Sequence, residues 1–222
     1  MTFRCAAVLF DMDGTLVDSR IACERLVRTW AARRGLDAEL ISAGAQGRTN
    51  TDIVREFTPH LPPDEEAAWL NEEELRYREG NVAVQGALDI VSALPNRSWA
   101  LVTSASRRVA EMRLECAGLP TPAVLISSDD VRLGKPHPEG YLMAAEQLGV
   151  APAHCLVIED TPAGLEAAQR AGMDALAITT TFPAAELNAM TYIPNFTCLQ
   201  VSETELPGKL RLELRVTAGD RI

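Results

Sequence analysis

The chain has 222 residues, a formal net charge of −10, 23% charged residues and 47% hydrophobic ones. That length carries one substantial core and a small second domain, and the composition is that of an ordinary soluble globular protein. The acidic balance argues against a nucleic-acid partner, which attracts basic surface, and an anionic substrate must be met by local cations or a metal.

Five cysteines, Cys5, Cys23, Cys116, Cys155 and Cys198, are scattered and odd in number. They read as reduced thiols of a cytoplasmic protein, and no spacing among them or with His60, His137 and His154 makes a zinc site. The N-terminal apolar run is too short for a signal peptide, and no stretch is long enough to span a membrane.

In chain order, the apolar run Cys5–Phe10 predicts a buried strand that ends at Asp11-Met12-Asp13-Gly14-Thr15, where the glycine marks a turn. Helical patterns follow over Ile21–Arg34, Thr51–Phe57 and Asp64–Arg78. Leu26, Val27 and Trp30 make the apolar stripe of the first, and Trp69 and Leu70 that of the third, so both tryptophans read as helical core. Beyond them, apolar runs at Trp99–Thr103, Ala123–Ile126, His154–Ile158 and Asp174–Thr179 alternate with helical patterns at Arg107–Cys116, Glu139–Leu148 and Ala163–Ala171. Gly118, Gly149 and Gly172 mark helix ends, and Pro162 opens the last of these helices. The alternation predicts an α/β fold, a doubly wound parallel sheet. The break in it predicts a helical domain at residues 18–83 inserted into a core of residues 1–17 and 84–222, with linkers near Val17–Arg20 and Val82–Gly86. Leu210–Val216 alternates apolar and charged residues and predicts a half-buried strand.

Four groups of chemical residues fall at or just beyond strand ends: Asp11 and Asp13, Ser104, Lys135, and Glu159-Asp160. In a parallel sheet the carboxyl ends share one edge, so these residues converge. The carboxylates are hard oxygen ligands suited to Mg²⁺. Such a site offers one aspartate to attack phosphorus and a second to move protons. The Ser104 hydroxyl, the backbone N–H that follows it and the Lys135 ammonium suit phosphate oxygens. Ser104 also stands where it can cap the helix after it.

Asp11-Met12-Asp13-Gly14-Thr15-Leu16-Val17-Asp18 resembles the first motif of the haloacid dehalogenase superfamily of phosphohydrolases. Ser104 in Val102–Ser106, Lys135 in Gly134–Pro138 and Glu159-Asp160 in Val157–Gly164 resemble its second, third and fourth motifs, in order and over most of the chain. The resemblance implies a Rossmannoid core with an inserted helical cap of the C1 type, which closes over the site and selects the substrate. It implies Asp11 as nucleophile and metal ligand. It implies Asp13 as general acid/base and, through its backbone carbonyl, a ligand of Mg²⁺. Asp160 would ligate the metal with Glu159 in support, Ser104 and the Ala105 N–H would hold the phosphate, and Lys135 would bridge phosphate and nucleophile. The expected substrate is a small phosphorylated sugar or polyol, and the expected state is a monomer.

Arg48, in the cap segment Gln46–Asp52, is a candidate substrate contact. The sequence also resembles β-phosphoglucomutase, but Asn50 stands where that mutase has a phosphate-gripping arginine and Cys23 where it has a histidine. These departures argue against the mutase, but Arg48 lies close and could take that arginine's part, so the rival expectations are a phosphosugar mutase and a non-catalytic phospho-ligand sensor. The intact set Asp11, Asp13, Lys135 and Asp160 speaks against the sensor.

Overall fold

The computed structural model describes residues 1–187, 189, 191–206 and 209–217, with the side chains of all but 203–206 and 209–211. The chain opens with strands β1 (Thr2–Cys5), β2 (Ala7–Phe10) and β3 (Val17–Asp18). Four helices follow, α1 (Arg20–Arg34), α2 (Ala38–Ala45), α3 (Asn50–Phe57) and α4 (Pro63–Glu74), closed by β4 (Val82–Ala83). Then come α5 (Ala87–Ala93), β5 (Trp99–Val102), α6 (Arg107–Ala117), β6 (Leu125–Ile126), α7 (Glu139–Leu148), β7 (Cys155–Glu159) and α8 (Pro162–Arg170). The last elements are β8 (Asp174–Ile178), α9 (Ala184–Leu187), β9 (Tyr192–Ile193), β10 (Leu199–Leu206) and β11 (Lys209–Val216).

Six strands form a parallel sheet in the order β6-β5-β2-β7-β8-β9, which puts β2 in the middle. All four side chains of β2 are buried, as a strand covered on both faces requires. Val8 and Phe10 enter one apolar cluster with Leu101, Ile158 and Phe196. Ala7 and Leu9 enter the other with Ala100, Val157 and Tyr141, so the period of two along one strand builds both layers of the core.

Helices α1 to α4 share a third apolar cluster made of Leu26, Trp30, Ala31, Ile41, Ile53, Val54 and Leu70. The buried Trp30 donates its indole N–H to Glu66 at 2.7 Å, and Trp69 lies half-buried under the Arg33 guanidinium. The segment leaves and rejoins the sheet region through β3 and β4, an antiparallel pair with Val17 opposite Ala83.

Three details differ from the sequence expectations. Cys5–Phe10 is two strands, not one. Thr2–Cys5 alternates exposed and buried and pairs antiparallel with β11, whereas Ala7–Phe10 is wholly buried in the parallel sheet. The expected helix Asp64–Arg78 stops at Glu74, because Arg76 and Tyr77 turn back on Glu73 and Glu74 and the Asn81 amide donates to the Tyr77 and Arg78 carbonyls. The expected strand Leu210–Val216 is β11, and its hairpin partner β10 and helices α2 and α5 were not expected. Among the described residues no helix is long and apolar enough to cross a membrane.

Candidate active site

Asp11 is the first residue beyond β2, and its N–H still bonds the Ile158 carbonyl of β7 at 3.1 Å. That bond holds the carboxylate at the carboxyl edge of the sheet, against Glu159 and Asp160 at the end of β7. The chain then turns at Gly14, whose φ is +83°. A Cβ there would overlap the Asp160 carboxylate, so only glycine lets this turn sit so close to the acid.

Ligand-competent oxygens of Asp11, Glu159 and Asp160 all lie within 4.8 Å of one another, and all three residues are buried. Lys135 reaches the same point from the loop before α7: its Nζ pairs with Asp11 and lies 2.6 Å from Glu159 and 3.1 Å from the Val102 carbonyl. The Tyr141 ring stands 5.3 Å from that ammonium. Of the residues expected to converge, the sheet topology brings Asp11, Lys135, Glu159 and Asp160 to one point.

Three carboxylates beside one ammonium leave two negative charges uncompensated in a buried place. Burial is the main reason that Asp11 is pushed up to about 7, with the charges of Glu159 and Asp13 adding to it and Lys135 opposing it. Burial, and then the charges of Asp11 and Glu159, also raise Asp160 well above the usual carboxylate range. Lys135 is held charged despite its burial, because Asp11 and Glu159 outweigh the loss of solvent.

The donor set fits a hard divalent cation. Asp160 Oδ1 accepts from the Thr15 hydroxyl at 3.2 Å, while its Oδ2 is buried with no hydrogen-bond partner among the described residues. An orphaned carboxylate oxygen facing two more carboxylates is what a cation of this kind satisfies. Glu159 is different. Its Oε1 accepts from Lys135 and from the Tyr141 hydroxyl at 2.9 Å, and its Oε2 from the Asp160 and Thr161 N–H groups and the Thr161 hydroxyl. It is saturated, and it fixes both Lys135 and the turn into α8.

Of the expected phosphate donors, Ser104 lines a neighbouring cleft with Thr49, Thr103, Lys135 and Tyr141. There the Ser104 hydroxyl donates to the Gly47 carbonyl at 2.8 Å, a contact between the sheet and the helical segment. The Ala105 N–H donates to the Thr103 hydroxyl at 3.1 Å. Arg48 is not brought into this cluster. It turns back into its own segment, onto the Gly44 and Asp52 carbonyls and the Glu56 carboxylate.

Asp13 stands apart from the three-carboxylate cluster. Its Oδ1 accepts from Ser19 Oγ at 2.6 Å and its Oδ2 from Arg113 Nη1 at 2.7 Å. Ser19 is the N-cap of α1, yet its hydroxyl makes no cap bond and serves Asp13 instead. Arg113, Ser19, Glu74 and Tyr141 were not expected from the sequence. The signal for Arg113 was present: it falls on the buried stripe of α6 with Val109, Ala110 and Leu114, where a lone arginine requires a partner.

The model of the haloacid dehalogenase-like hydrolases matches residues 5–172, and the chain belongs to that family. It is a hydrolase. Hexitol phosphatase A of Escherichia coli K12 is 38% identical over 195 residues, which cover 86% of this chain and 90% of the relative. Glycerol-1-phosphate phosphohydrolase 2 of Saccharomyces cerevisiae is 32% identical over 194 residues, with 82% and 78% covered. A hydrolase from Pseudomonas syringae superposes with a TM-score of 0.75 at 23% identity, over 84% of this chain and 92% of that one.

Proposed function

We propose that the protein is a Mg²⁺-dependent phosphomonoesterase for a small phosphorylated sugar or polyol, working through an aspartyl-phosphate at Asp11. The observation that carries this reading is the meeting of Asp11, Lys135, Glu159 and Asp160 around an unpartnered carboxylate oxygen. The sugar or polyol class is supported by relatives named as hexitol and glycerol-1-phosphate phosphatases.

When bound, Mg²⁺ neutralises the excess negative charge and gives the phosphoryl oxygens a Lewis acid; Asp11, Asp160 and the Asp13 carbonyl are the ligands assigned to it. The Asp11 carboxylate forms the new P–O bond, the ester P–O bond breaks, and the departing alkoxide takes a proton from Asp13. In the second half Asp13 takes a proton from water, the water oxygen bonds to phosphorus, and the P–O bond to Asp11 breaks. Lys135 holds Asp11 on line and meets a phosphoryl oxygen, and the Ser104 hydroxyl and Ala105 N–H hold others. Residues 1–17 and 84–222 form the catalytic core, and residues 18–83 form the cap that selects the leaving group. Within the cap, Asn50 donates to Asn71 at 2.8 Å and to Glu74 at 3.3 Å, and this neutral amide is a poor grip for the second phosphate a mutase must hold.

The test is inorganic phosphate release from hexitol, glycerol and deoxyhexose phosphates, with Mg²⁺ and with EDTA. We expect Mg²⁺-dependent release with a clear ranking, and none from Asp11→Asn. Isomerised sugar phosphate without release would make the protein a mutase. Turnover surviving in Asp11→Asn would end the covalent mechanism.

A further inference from the structure

Arg113 is almost fully buried, at 2% exposure, on a helix of the sheet domain. Its two terminal nitrogens point to different places. Nη1 bonds Asp13 at 2.7 Å, and Nη2 bonds Glu74 at 2.6 Å and lies 3.3 Å from Cys23 Sγ. Glu74 is the last residue of α4 in the helical segment, itself buried, and its second oxygen accepts from Asn50. Two further pairs join the same two regions, Arg108 with Glu72 and Arg78 with Glu115, but both are exposed. Exposed pairs of that kind contribute little. The buried pair is the one that matters, because removing either partner strands a charge away from water.

We propose that Arg113 is a positioning residue for Asp13, held in place from the cap by Glu74, so that the end of the fourth cap helix belongs to the proton-transfer apparatus. This rests on the phosphatase reading given above. Arg113 Nη1 holds one oxygen of the Asp13 carboxyl and Ser19 Oγ the other, so the direction of the group is fixed at both oxygens. With a leaving group that needs no proton, that positioning bears on the second half-reaction alone, in which water gives its proton to Asp13, its oxygen bonds to phosphorus and the P–O bond to Asp11 breaks. Burial works against the Arg113 charge, but Asp13, Cys23 and Glu74 more than offset it, and the guanidinium stays charged. Its geometry is set from two domains at once, as precise positioning of a reacting group demands.

The experiment is rapid-quench release of p-nitrophenol from p-nitrophenyl phosphate in the presence of Mg²⁺, since that leaving group departs without needing a proton. The double variant Glu74→Leu/Arg113→Met replaces the buried pair by apolar side chains, an exchange that is often neutral for the fold. We expect it to release one p-nitrophenol per site quickly and then turn over at least about tenfold more slowly than the wild type, given what a positioned base contributes. Arg113→Lys should recover part of the steady rate, and Glu74→Gln, which keeps the shape, should show the same slowing to a smaller degree. Should burst and steady rate fall together in every variant, or the steady rate stay unchanged, the positioning role is overturned. If instead Asp11→Asn releases p-nitrophenol like the wild type, the covalent reading itself has failed and the inference falls with it.

Discussion

Asp11 carries the clearest consequence of the electrostatics. Its carboxyl is raised from 3.8 to about 7, so between those pH values the folded protein binds a proton there that the unfolded chain does not. The sign follows: Asp11 weakens the metal-free fold progressively as pH rises from about 4 to about 7, and fully above that. A divalent cation reverses this, because it competes with the proton for the same oxygen. We expect the rise in Tm on adding Mg²⁺ to be larger at pH 8 than at pH 5 in differential scanning fluorimetry. An equal rise at both would mean that the cation does not bind Asp11. Asp11, Lys135 and Asp160 were legible in the sequence because strand ends in a parallel sheet must share an edge. The pairing of Arg113 with Glu74 was not, because it depends on how one helix of the segment lies against one helix of the core, and the buried stripe of α6 shows only that Arg113 needs a partner. Arg48 shows the same limit in reverse, since its sequence position did not reveal the carbonyls that hold it within its own segment.

At the level of elements, the turn from β7 into α8 makes the sharpest test. A Cβ on Gly164 would run into both oxygens of the Glu159 carboxylate, the group that holds Lys135, Tyr141 and the start of α8. Gly164→Ala should therefore cost about 1–3 kcal/mol of stability, the usual range for overpacking, and slow turnover at saturating substrate. Gly149→Ala is the control. Unlike Gly164, Gly149 stands in a left-handed cap that a side chain would strain, but nothing lies within 4 Å of its Cβ, so stability should drop while kcat stays as it was. Urea melts and steady-state kinetics on the two variants separate the cases; matching kcat losses would remove Glu159 from its supporting role. The helices with an apolar stripe and a glycine stop were legible in the sequence, since both signals are local. Helix α2 has only Ile41 buried, and α5 is just seven residues long, so neither leaves much periodicity to find. The break between β1 and β2 was hidden because Cys5 and Ala7 are both apolar enough to continue one run.

For the molecule as a whole, strands β1, β11 and β10 form a second, three-stranded sheet that supplies none of the clustered site residues, although its Leu212 and Leu214 share an apolar cluster with Phe10 and Ile158. Leu214 in β11 is fully buried and sits opposite Phe3 of β1. Leu214→Ala should cost about 2–5 kcal/mol, as cavities in a core do, with KM unchanged while the protein stays folded. An altered KM at temperatures far below the melt would show that this sheet reaches the site after all. The pairing of β1 with β11 has another consequence, for synthesis rather than catalysis. Thr2 lies opposite Arg215, so the first strand of this stretch finds its partner in the last, whereas the central strand β2 meets β5 at Trp99 and β7 at Cys155. Contacts of such long sequence separation are slow to form. A nascent chain therefore carries β1 without its partner until β11 is made, and the open strand edge is exposed to mispairing during that interval.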